Sequence, residues 1–301
     1  MLMDEINLMP PEDVEKMFAR LGELSLDTST IRRKFLNCPY GEAQSQKLDI
    51  YLPNDGCGPF PVVFFIHGGA WAVGHKADNQ LVPFIAGVTR GFAVVSIGYR
   101  LVPDIKYPEN LFDIKAALRW TARNADTYLL DCSRTALCGA SAGAHLAMMA
   151  AFTQGQAVYE DSMPDSECRI AALVNQFGPT DFTKIHDHYD QSGYPRAQMP
   201  GAPSSLDTML GVKAEQIPNL IRFLNPLSNV HANIPPILIQ HGRYDPIIPY
   251  QQAVELYEKV ISIAGDGMAE LSISDDLLHA DPGYASENSV NQIFDFLSAH
   301  L

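Results

Sequence analysis

The 301-residue sequence has few basic residues. It contains 21 Lys and Arg against 35 Asp and Glu, which gives a formal net charge of −14 at pH 7. A surface of that sign repels phosphate groups, so we expect neither nucleic acid nor a membrane surface as a partner. The basic residues are also scattered along the chain, and they form no run typical of a nucleic-acid interface.

Cysteines are few as well, and their number is odd. No two of the five form a CxxC pair, which indicates neither a disulfide framework nor a zinc site. The five are Cys38, Cys57, Cys132, Cys138 and Cys168. We expect reduced thiols in a cytoplasmic protein. The acidic N-terminal segment lacks the features of a signal peptide, and no run reaches the roughly 20 apolar residues that span a bilayer.

The first predicted element is a helix over residues 10–22. Pro10 and Pro11 favour its start, and Gly22 is typical of a helix end. Its apolar residues recur at i, i+3, i+4 and i+7, which places them on one face: Val14, Met17, Phe18 and Leu21. We interpret residues 1–301 as one domain that includes this helix.

Beyond that helix, short apolar runs alternate with helical patterns. The runs lie at 31–38, 46–53, 62–67, 92–98, 135–140, 171–177, 236–241 and 269–275. The clearest helical patterns lie at 108–126, 141–153, 250–264 and 286–299. This alternation predicts an α/β protein with a mostly parallel sheet and helices on both of its faces. The first two runs favour an antiparallel pair at the sheet edge.

One connection is unusually long. More than 50 residues separate the runs at 171–177 and 236–241, and they are rich in Pro, Met and aromatic residues. A structureless loop of that length is uncommon in a compact domain. We therefore interpret residues 181–233, approximately, as a cap insertion over a site, with a surface decoration as the alternative.

The strongest chemical signal is Gly139-Ala140-Ser141-Ala142-Gly143, which matches G-x-S-x-G. An apolar strand pattern precedes it and a helix of small residues follows it, as a nucleophile turn requires. The glycines on either side of the serine would allow strand and helix to pack closely. We predict that Ser141 is a nucleophile.

A serine nucleophile needs a base and a carboxylate that orients the base. In this arrangement the chain order is Ser, then Asp or Glu, then His. His279 follows the last predicted strand, and Asp245 lies in the loop after the penultimate one. His241 closes a strand and His300 lies in a terminal helix, so we predict His279 as the base and Asp245 as its acid. Other acidic residues are too near His279 in sequence: Asp275, Asp276 and Asp281.

An oxyanion hole needs backbone N–H groups that face the developing negative charge. One is expected from Ala142, directly after the nucleophile. We expect the others from Gly69 and Ala70, which follow the apolar run at 62–67, with Gly68 as a further candidate. Gly68 and Trp71 are predicted to contact the substrate.

Several separated motifs now resemble a known family. They are HGGAW at 67–71, Tyr99-Arg100-Leu101 with Pro103, the segment from Pro108 to Trp120, and GASAGAHLA at 139–147. Together they resemble the hormone-sensitive-lipase-like and feruloyl-esterase-like (BD-FAE-like) carboxylesterases, from about residue 45 to the C-terminus. The resemblance implies an eight-stranded α/β-hydrolase fold, ester hydrolysis through an acyl-enzyme and no cofactor. It also implies that Arg100 and Asp113 support the core. Ala70 departs from the third glycine of many relatives.

The sequence therefore predicts a serine carboxylesterase that acts on small-molecule esters of short acyl chains. An arylformamidase or a small peptidase would use the same three residues, and a non-catalytic binding protein could share the fold. We expect no metal, because His186-Asp187-His188 has no evident third ligand. The oligomeric state, a homodimer included, is left open. An ordinary histidine titrates near pH ~6.5, so activity should rise towards neutral pH.

Overall fold

The computed structural model describes residues 8–21, 23–160, 168–197 and 204–301. Its centre is one sheet of eight strands. In chain order they are β1 (Lys34–Pro39), β2 (Lys47–Tyr51), β3 (Phe60–Ile66), β4 (Ala93–Ile97), β5 (Leu130–Ala140), β6 (Ile170–Gln176), β7 (Ile237–Gly242) and β8 (Ala269–Ser274).

The strand order across the sheet is β1-β2-β4-β3-β5-β6-β7-β8. β1 pairs with β2, and β2 with β4, in antiparallel fashion, whereas every later neighbour is parallel. Parallel neighbours need crossovers, and helices supply them. The predicted α/β-hydrolase fold, with its mostly parallel eight-stranded sheet and antiparallel edge pair, is confirmed.

Helices connect the strands. They are α1 (Pro11–Leu21), α2 (Val82–Ile85), α3 (Glu109–Arg123), α4 (Ala125–Tyr128), α5 (Ala142–Phe152), α6 (Ile185–Ser192), α7 (Ser205–Leu210), α8 (Pro218–Leu224), α9 (Gln251–Ala264) and α10 (Glu287–His300). Short 3₁₀ turns lie at Asn79–Leu81, Ala86–Arg90, Ala157–Tyr159, Ala214–Gln216, Pro226–Asn229 and Pro282–Ala285. Among the described residues, no helix combines the length and hydropathy that crossing a membrane would require.

The sheet separates two apolar cores. Successive side chains of a strand point to opposite faces, and β3 divides its residues in this way. Phe64 and Ile66 join the core that contains residues of α3, α5 and α9. Val63 and Phe65 join the core that contains residues of α2 and α10. Because both faces are covered, the central strands are continuous apolar runs.

The predicted helix at 10–22 corresponds to α1, which runs from Pro11 to Leu21. Val14 and Met17, on its predicted apolar face, are buried. Gly22 and the side chains of Phe18 and Leu21 lie outside the described residues.

The long connection between β6 and β7 carries α6, α7 and α8. Buried amide side chains hold it against the rest of the domain. Gln252, on α9, accepts hydrogen bonds through Oε1 from the amides of Thr180 (2.8 Å) and Asp181 (2.7 Å). Asn225 accepts one from the amide of Phe182 at 3.0 Å. Gln252 therefore ties the start of the insertion to the domain, and Asn225 ties the later part of the insertion to its start.

The expectation of five reduced thiols is wrong for one pair. Cys132 and Cys168 form a disulfide, and their Cα atoms are 4.6 Å apart. The pair is 36 residues apart in sequence, but Cys132 lies early in β5 and Cys168 just before β6, which is its parallel neighbour. Sheet pairing, which no cysteine spacing reveals, brings them together. Cys38, Cys57 and Cys138 are free. The expectation of a cytoplasmic location was based on five reduced thiols, and the disulfide removes that basis.

The central position of β3 leads to a stability prediction. Phe64 is fully buried between β4 and β5, so Phe64→Ala should leave a cavity that costs about 3–5 kcal/mol of unfolding free energy. Urea denaturation followed by circular dichroism measures the loss. Val158→Ala is the control, since that side chain is 71% exposed and its removal should change stability by less than about 0.5 kcal/mol. Equal effects of the two substitutions would contradict the assignment of β3 to the core.

Candidate active site

The turn between β5 and α5 depends on two glycines. A Cβ atom on Gly143 would lie 2.0 Å from the carbonyl oxygen of Ile66, at the end of β3. A Cβ atom on Gly139 would lie 2.5 Å from the carbonyl carbon of Gly143. These distances leave no room for a side chain at either position. The G-x-S-x-G pattern therefore reflects backbone packing of strand against helix.

Ser141 occupies the tip of this turn in a strained backbone conformation. Its φ is 53° and its ψ is −120°, a region that residues with a side chain rarely adopt. Its amide donates a hydrogen bond to the carbonyl oxygen of Gln176 at 2.9 Å, and its own carbonyl accepts one from His145. The turn presents the hydroxyl at the N-terminus of α5, beyond the carboxyl end of the sheet.

The structure brings Ser141, His279 and Asp245 into one hydrogen-bonded chain. His279 Nε2 lies 2.9 Å from Ser141 Oγ, and His279 Nδ1 lies 2.7 Å from Asp245 Oδ2. Because a carboxylate only accepts, Nδ1 carries the proton and Nε2 is free to accept from the serine. This arrangement can move a proton from the hydroxyl to the imidazole.

Asp245 is fully enclosed but well partnered. Oδ1 accepts hydrogen bonds from the amides of Ile247 and Ile248, both at 2.8 Å. Burial alone raises the pKa of this carboxyl group, but the charge and hydrogen bonds of His279 and His241 outweigh it and lower the pKa below its usual range. Asp245 is therefore held as an anion, the form that orients an imidazole and stabilises its protonated state.

The ring of His279 is also packed against an aromatic side chain. The Phe177 ring meets it edge to face, with a centroid distance of 4.9 Å. The imidazole is thus held by a carboxylate on one side and by a ring at another, and its rotation is restricted.

Two of the three predicted oxyanion donors lie in a left-handed backbone run. Gly69, Ala70 and Trp71 have φ values of 108°, 51° and 60°. Within the described part of the chain, the amides of Gly69, Ala70 and Ala142 donate to no protein group. Free amides beside a nucleophile are suited to hold a developing negative charge.

Gly68, the further candidate donor, has a different role in the structure. Its amide donates a hydrogen bond to Gln80 Oε1 at 2.9 Å, so it is not available to an oxyanion. A Cβ atom on Gly68 would lie 3.2 Å from the Ser141 Cβ atom and 2.8 Å from the carbonyl oxygen of Ala140. Glycine here permits close approach of the loop to the nucleophile turn.

Aromatic rings pack together next to this loop. We call Trp71, Tyr107, His145 and Phe182 the aromatic wall. The ring centroid of His145 lies 5.3 Å from Trp71, 5.9 Å from Tyr107 and 5.4 Å from Phe182. His145 Nε2 lies 2.7 Å from the carbonyl oxygen of Leu224. The wall therefore joins the oxyanion loop and α5 to the insertion.

Other singled-out residues form structural contacts. The Arg100 guanidinium binds Asp113 at 2.8–3.1 Å and Glu109 at 3.0 Å, as the family resemblance implies. His188 contacts Gln252 and Glu255, and His186 contacts Arg196. Among the described residues, no three metal-ligating side chains are grouped.

Sequence reasoning missed three supporting residues. His241, set aside as a base, lies with Nε2 3.3 Å from Asp245 Oδ2 and 2.8 Å from the carbonyl oxygen of Ile248. His241 lies near the end of β7, just before the loop that carries Asp245, and this closeness in sequence was a usable signal. Gln80 and Phe177 carry no pattern that distinguishes them from ordinary loop and core residues.

A family model and two curated relatives match most of this chain. A model of the BD-FAE family matches residues 48–260. Esterase LipC of Mycobacterium tuberculosis is 29% identical over 248 residues, which cover 80% of this chain and 58% of LipC. The probable carboxylic ester hydrolase LipM of the same organism is 33% identical over 220 residues, or 71% of this chain and 48% of LipM. The chain thus spans about half the length of these relatives.

A solved structure is similar over nearly the whole chain. It is described as a truncated form of a carbohydrate esterase from gut microbiota, and it superposes with a TM-score of 0.78. The two chains are 25% identical, and the match covers 91% of this chain and 98% of the other.

The buried imidazole of His145 predicts a pH dependence of stability. Burial lowers its pKa to about 4. The unfolded chain binds a proton below pH ~6.5, so stability is full above that pH and is lost as pH falls from 6.5 towards 4. We expect the loss of unfolding free energy between about pH 7.5 and about pH 5 to be smaller in His145→Gln, by up to about 2 kcal/mol. Urea midpoints at the two pH values measure it. Parallel losses in both proteins would contradict the neutral state of His145.

Proposed function

This chain belongs to the BD-FAE family, and we propose that it is a serine carboxylesterase that cleaves small esters through an acyl-enzyme. The observation that carries the proposal is the hydrogen-bonded chain from Ser141 through His279 to Asp245. A serine hydroxyl at 2.9 Å from an imidazole that a buried carboxylate orients is activated for attack on a carbonyl carbon.

In the first half of the reaction, His279 Nε2 removes the Ser141 proton as Oγ attacks the ester carbonyl. Asp245 keeps the proton on Nδ1 and stabilises the imidazolium that forms. The carbonyl oxygen becomes negative and faces the amides of Gly69, Ala70 and Ala142. His279 then protonates the leaving alcohol, and the acyl group stays on Ser141.

The second half repeats these roles with water. His279 takes a proton from water, whose oxygen attacks the acyl carbonyl within the same oxyanion hole. The carbon–oxygen bond to Ser141 breaks, and His279 returns the proton to the serine. The acid is released, and no metal or cofactor takes part in any step.

The relatives support this activity. LipC and LipM are named as an esterase and a probable carboxylic ester hydrolase, and the structural neighbour is described as a carbohydrate esterase. The carbohydrate esterase and this chain match over most of both lengths, so acetylated or otherwise acylated sugars belong in the substrate panel.

Loss of the nucleophile should abolish activity. We expect Ser141→Ala to lower kcat on 4-nitrophenyl butyrate by at least about 10³-fold, since the acyl-enzyme can no longer form. Asp245→Asn should lower kcat by about 10²- to 10⁴-fold through the wrong imidazole tautomer. Stopped or continuous absorbance assays measure both, and thermal unfolding checks that the variants are folded.

A fluorophosphonate probe separates an enzyme from a binding protein. It should label the wild-type chain at Ser141 and leave Ser141→Ala unlabelled. An unlabelled wild-type protein would refute the catalytic proposal. An aryl formamide and a short peptide amide in the same panel distinguish an esterase from an arylformamidase or a peptidase, and faster turnover of either amide than of esters would replace the ester proposal.

We also propose that the aromatic wall limits the acyl group to short chains. Trp71 follows the oxyanion donors directly, and His145 lies four residues after Ser141 with its amide bonded to the serine carbonyl. Trp71, His145 and Phe182 are buried, and their rings pack on one another next to the loop that carries the oxyanion donors. An acyl chain that extends from Ser141 towards these rings would meet a closed surface.

Removal of the Trp71 ring should therefore extend the accepted acyl chain. We expect wild-type kcat/KM to fall from 4-nitrophenyl butyrate to the octanoate, and the octanoate-to-butyrate ratio to rise about tenfold in Trp71→Ala, because one or two buried methylenes contribute about 1–2 kcal/mol. The matched control is Trp120→Ala, which removes the only other Trp of the chain from a contact with Tyr128. An unchanged ratio in Trp71→Ala would exclude the wall as the chain-length determinant.

A further inference from the structure

We propose that Arg20, on the N-terminal helix α1, is a positioning residue for His279. It acts through Asp281, two residues after the histidine. Arg20 Nη1 lies 2.9 Å from Asp281 Oδ2, and Nη2 lies 3.3 Å from Oδ1. The two residues are 261 positions apart in sequence. The inference rests on the proposed function, because it assigns Arg20 a part in presenting the base.

Buried contacts of Asp281 hold the loop that carries His279. Its side chain is 3% exposed, and Oδ1 accepts a hydrogen bond from the Gly283 amide at 2.9 Å, which caps the turn Pro282–Ala285. A buried carboxylate needs a compensating charge. Among the described residues, Arg20 is the only cationic side chain within ion-pair distance of it.

The loop between His279 and Asp281 is strained. Ala280 has a φ of 54°, in the left-handed region that disfavours residues with a Cβ atom. Such a conformation persists only where surrounding contacts hold it. The contacts after Ala280 are those of Asp281, so the ion pair with Arg20 helps to hold a conformation that the loop would not adopt by itself.

The N-terminal arm (residues 8–21, 23 and 24) also contacts a segment that is bonded to the acid loop. The amide of Met9 donates to the carbonyl oxygen of Arg196 at 2.8 Å, and the next amide, of Ala197, donates to Pro246 at 2.8 Å. Pro246 directly follows Asp245. The arm is therefore linked to the acid loop at one end and to the histidine loop at the other.

The end of the arm covers the rear of the catalytic turn. Leu24 lines a small cavity together with Ala140, which precedes the nucleophile, and with Phe177, Ala280 and Asp281. Val14 and Met17 are buried on the inner face of α1, so the helix that carries Arg20 is seated on the domain. The arm lies outside residues 48–260, which the family model matches.

Loss of Arg20 would leave Asp281 buried without a counter-charge. A carboxylate in that state moves towards water or releases its contacts, and the strained Ala280 turn then relaxes. His279 would spend less time at hydrogen-bond distance from Ser141. Because the arm contacts no oxyanion donor in the described structure, substrate binding should change little.

The test is a set of variants in the full chain. Arg20→Met keeps the aliphatic stem and removes the charge, and we expect kcat on 4-nitrophenyl butyrate to fall about tenfold with KM changed less than about twofold. Arg20→Lys should restore most of kcat. In Asp281→Asn the cap is retained and the charge is absent, so adding Arg20→Met to it should cause little further loss.

Lys16→Ala is the matched control. It removes one positive charge from the same helix, from an exposed pair with Asp13, and should leave kcat unchanged. Equal kcat values for Arg20→Met and Lys16→Ala, with normal thermal midpoints, would overturn the proposal. So would an additive effect of the Arg20 and Asp281 substitutions.

Hydrogen–deuterium exchange provides a readout that does not depend on catalysis. The amides of residues 277–286 should exchange faster in Arg20→Met than in the wild type or in Lys16→Ala, and unchanged exchange would contradict the proposal. If the wild-type protein hydrolyses no ester, the proposed function fails while the exchange result still reports on the ion pair between Arg20 and Asp281. If Arg20→Met is too unstable to study, Arg20→Lys and Asp281→Asn replace it in the exchange experiment. A wild-type exchange rate in Arg20→Lys together with a raised rate in Asp281→Asn would support the proposal.

Discussion

Contact between the backbone of Gly143 and the carbonyl group of Ile66 determines where the nucleophile lies. A Cβ atom at position 143 would lie 2.0 Å from that oxygen. Because glycine has no Cβ atom, α5 can begin directly against the end of β3. The loop that follows β3 carries Gly69 and Ala70, and the turn that precedes α5 carries Ser141. One backbone contact therefore places the serine and the free amides side by side, and the parallel pairing of β3 with β5 maintains it.

Asp245 and His279 come from loops that take no part in the contact between Gly143 and Ile66. Asp245 follows β7 and His279 follows β8, and β7 and β8 form the far edge of the sheet. Their loops are held by buried polar contacts: two amides and His241 for Asp245, and the cap at Asp281 for His279. From α6 of the insertion, Tyr189 donates a hydrogen bond to the carbonyl oxygen of Ile247. The nucleophile turn is held by backbone packing, and the loops of Asp245 and His279 are held by buried polar contacts. The two parts meet at the hydrogen bond between Ser141 and His279.

Much of this architecture could be predicted because its causes are local. The apolar runs predicted the strands, and G-x-S-x-G between a strand and a small-residue helix predicted the turn. Chain order, together with the positions of Asp245 and His279 in the loops after the last two predicted strands, was enough to choose them among many acids and histidines. Long-range contacts were not predictable in this way. Gln80 is an ordinary loop glutamine until the Gly68 amide lies beside it, and the disulfide between Cys132 and Cys168 follows from the pairing of β5 with β6. Arg20 and Asp281 are neighbours only because the N-terminal arm packs on the domain beside the loop that carries His279.

The complete burial of α5 has a consequence for how the protein can diversify. All residues of this helix, from Ala142 to Phe152, are buried, and its first turn packs against backbone. Such a helix tolerates larger side chains poorly, and its one polar ring, that of His145, is hydrogen-bonded to the carbonyl oxygen of Leu224. Changes in substrate preference are instead expected in the segments beside the serine: the loop that carries Trp71 and the insertion after β6. These segments can exchange side chains, or even lengths, without disturbing the element that presents the nucleophile.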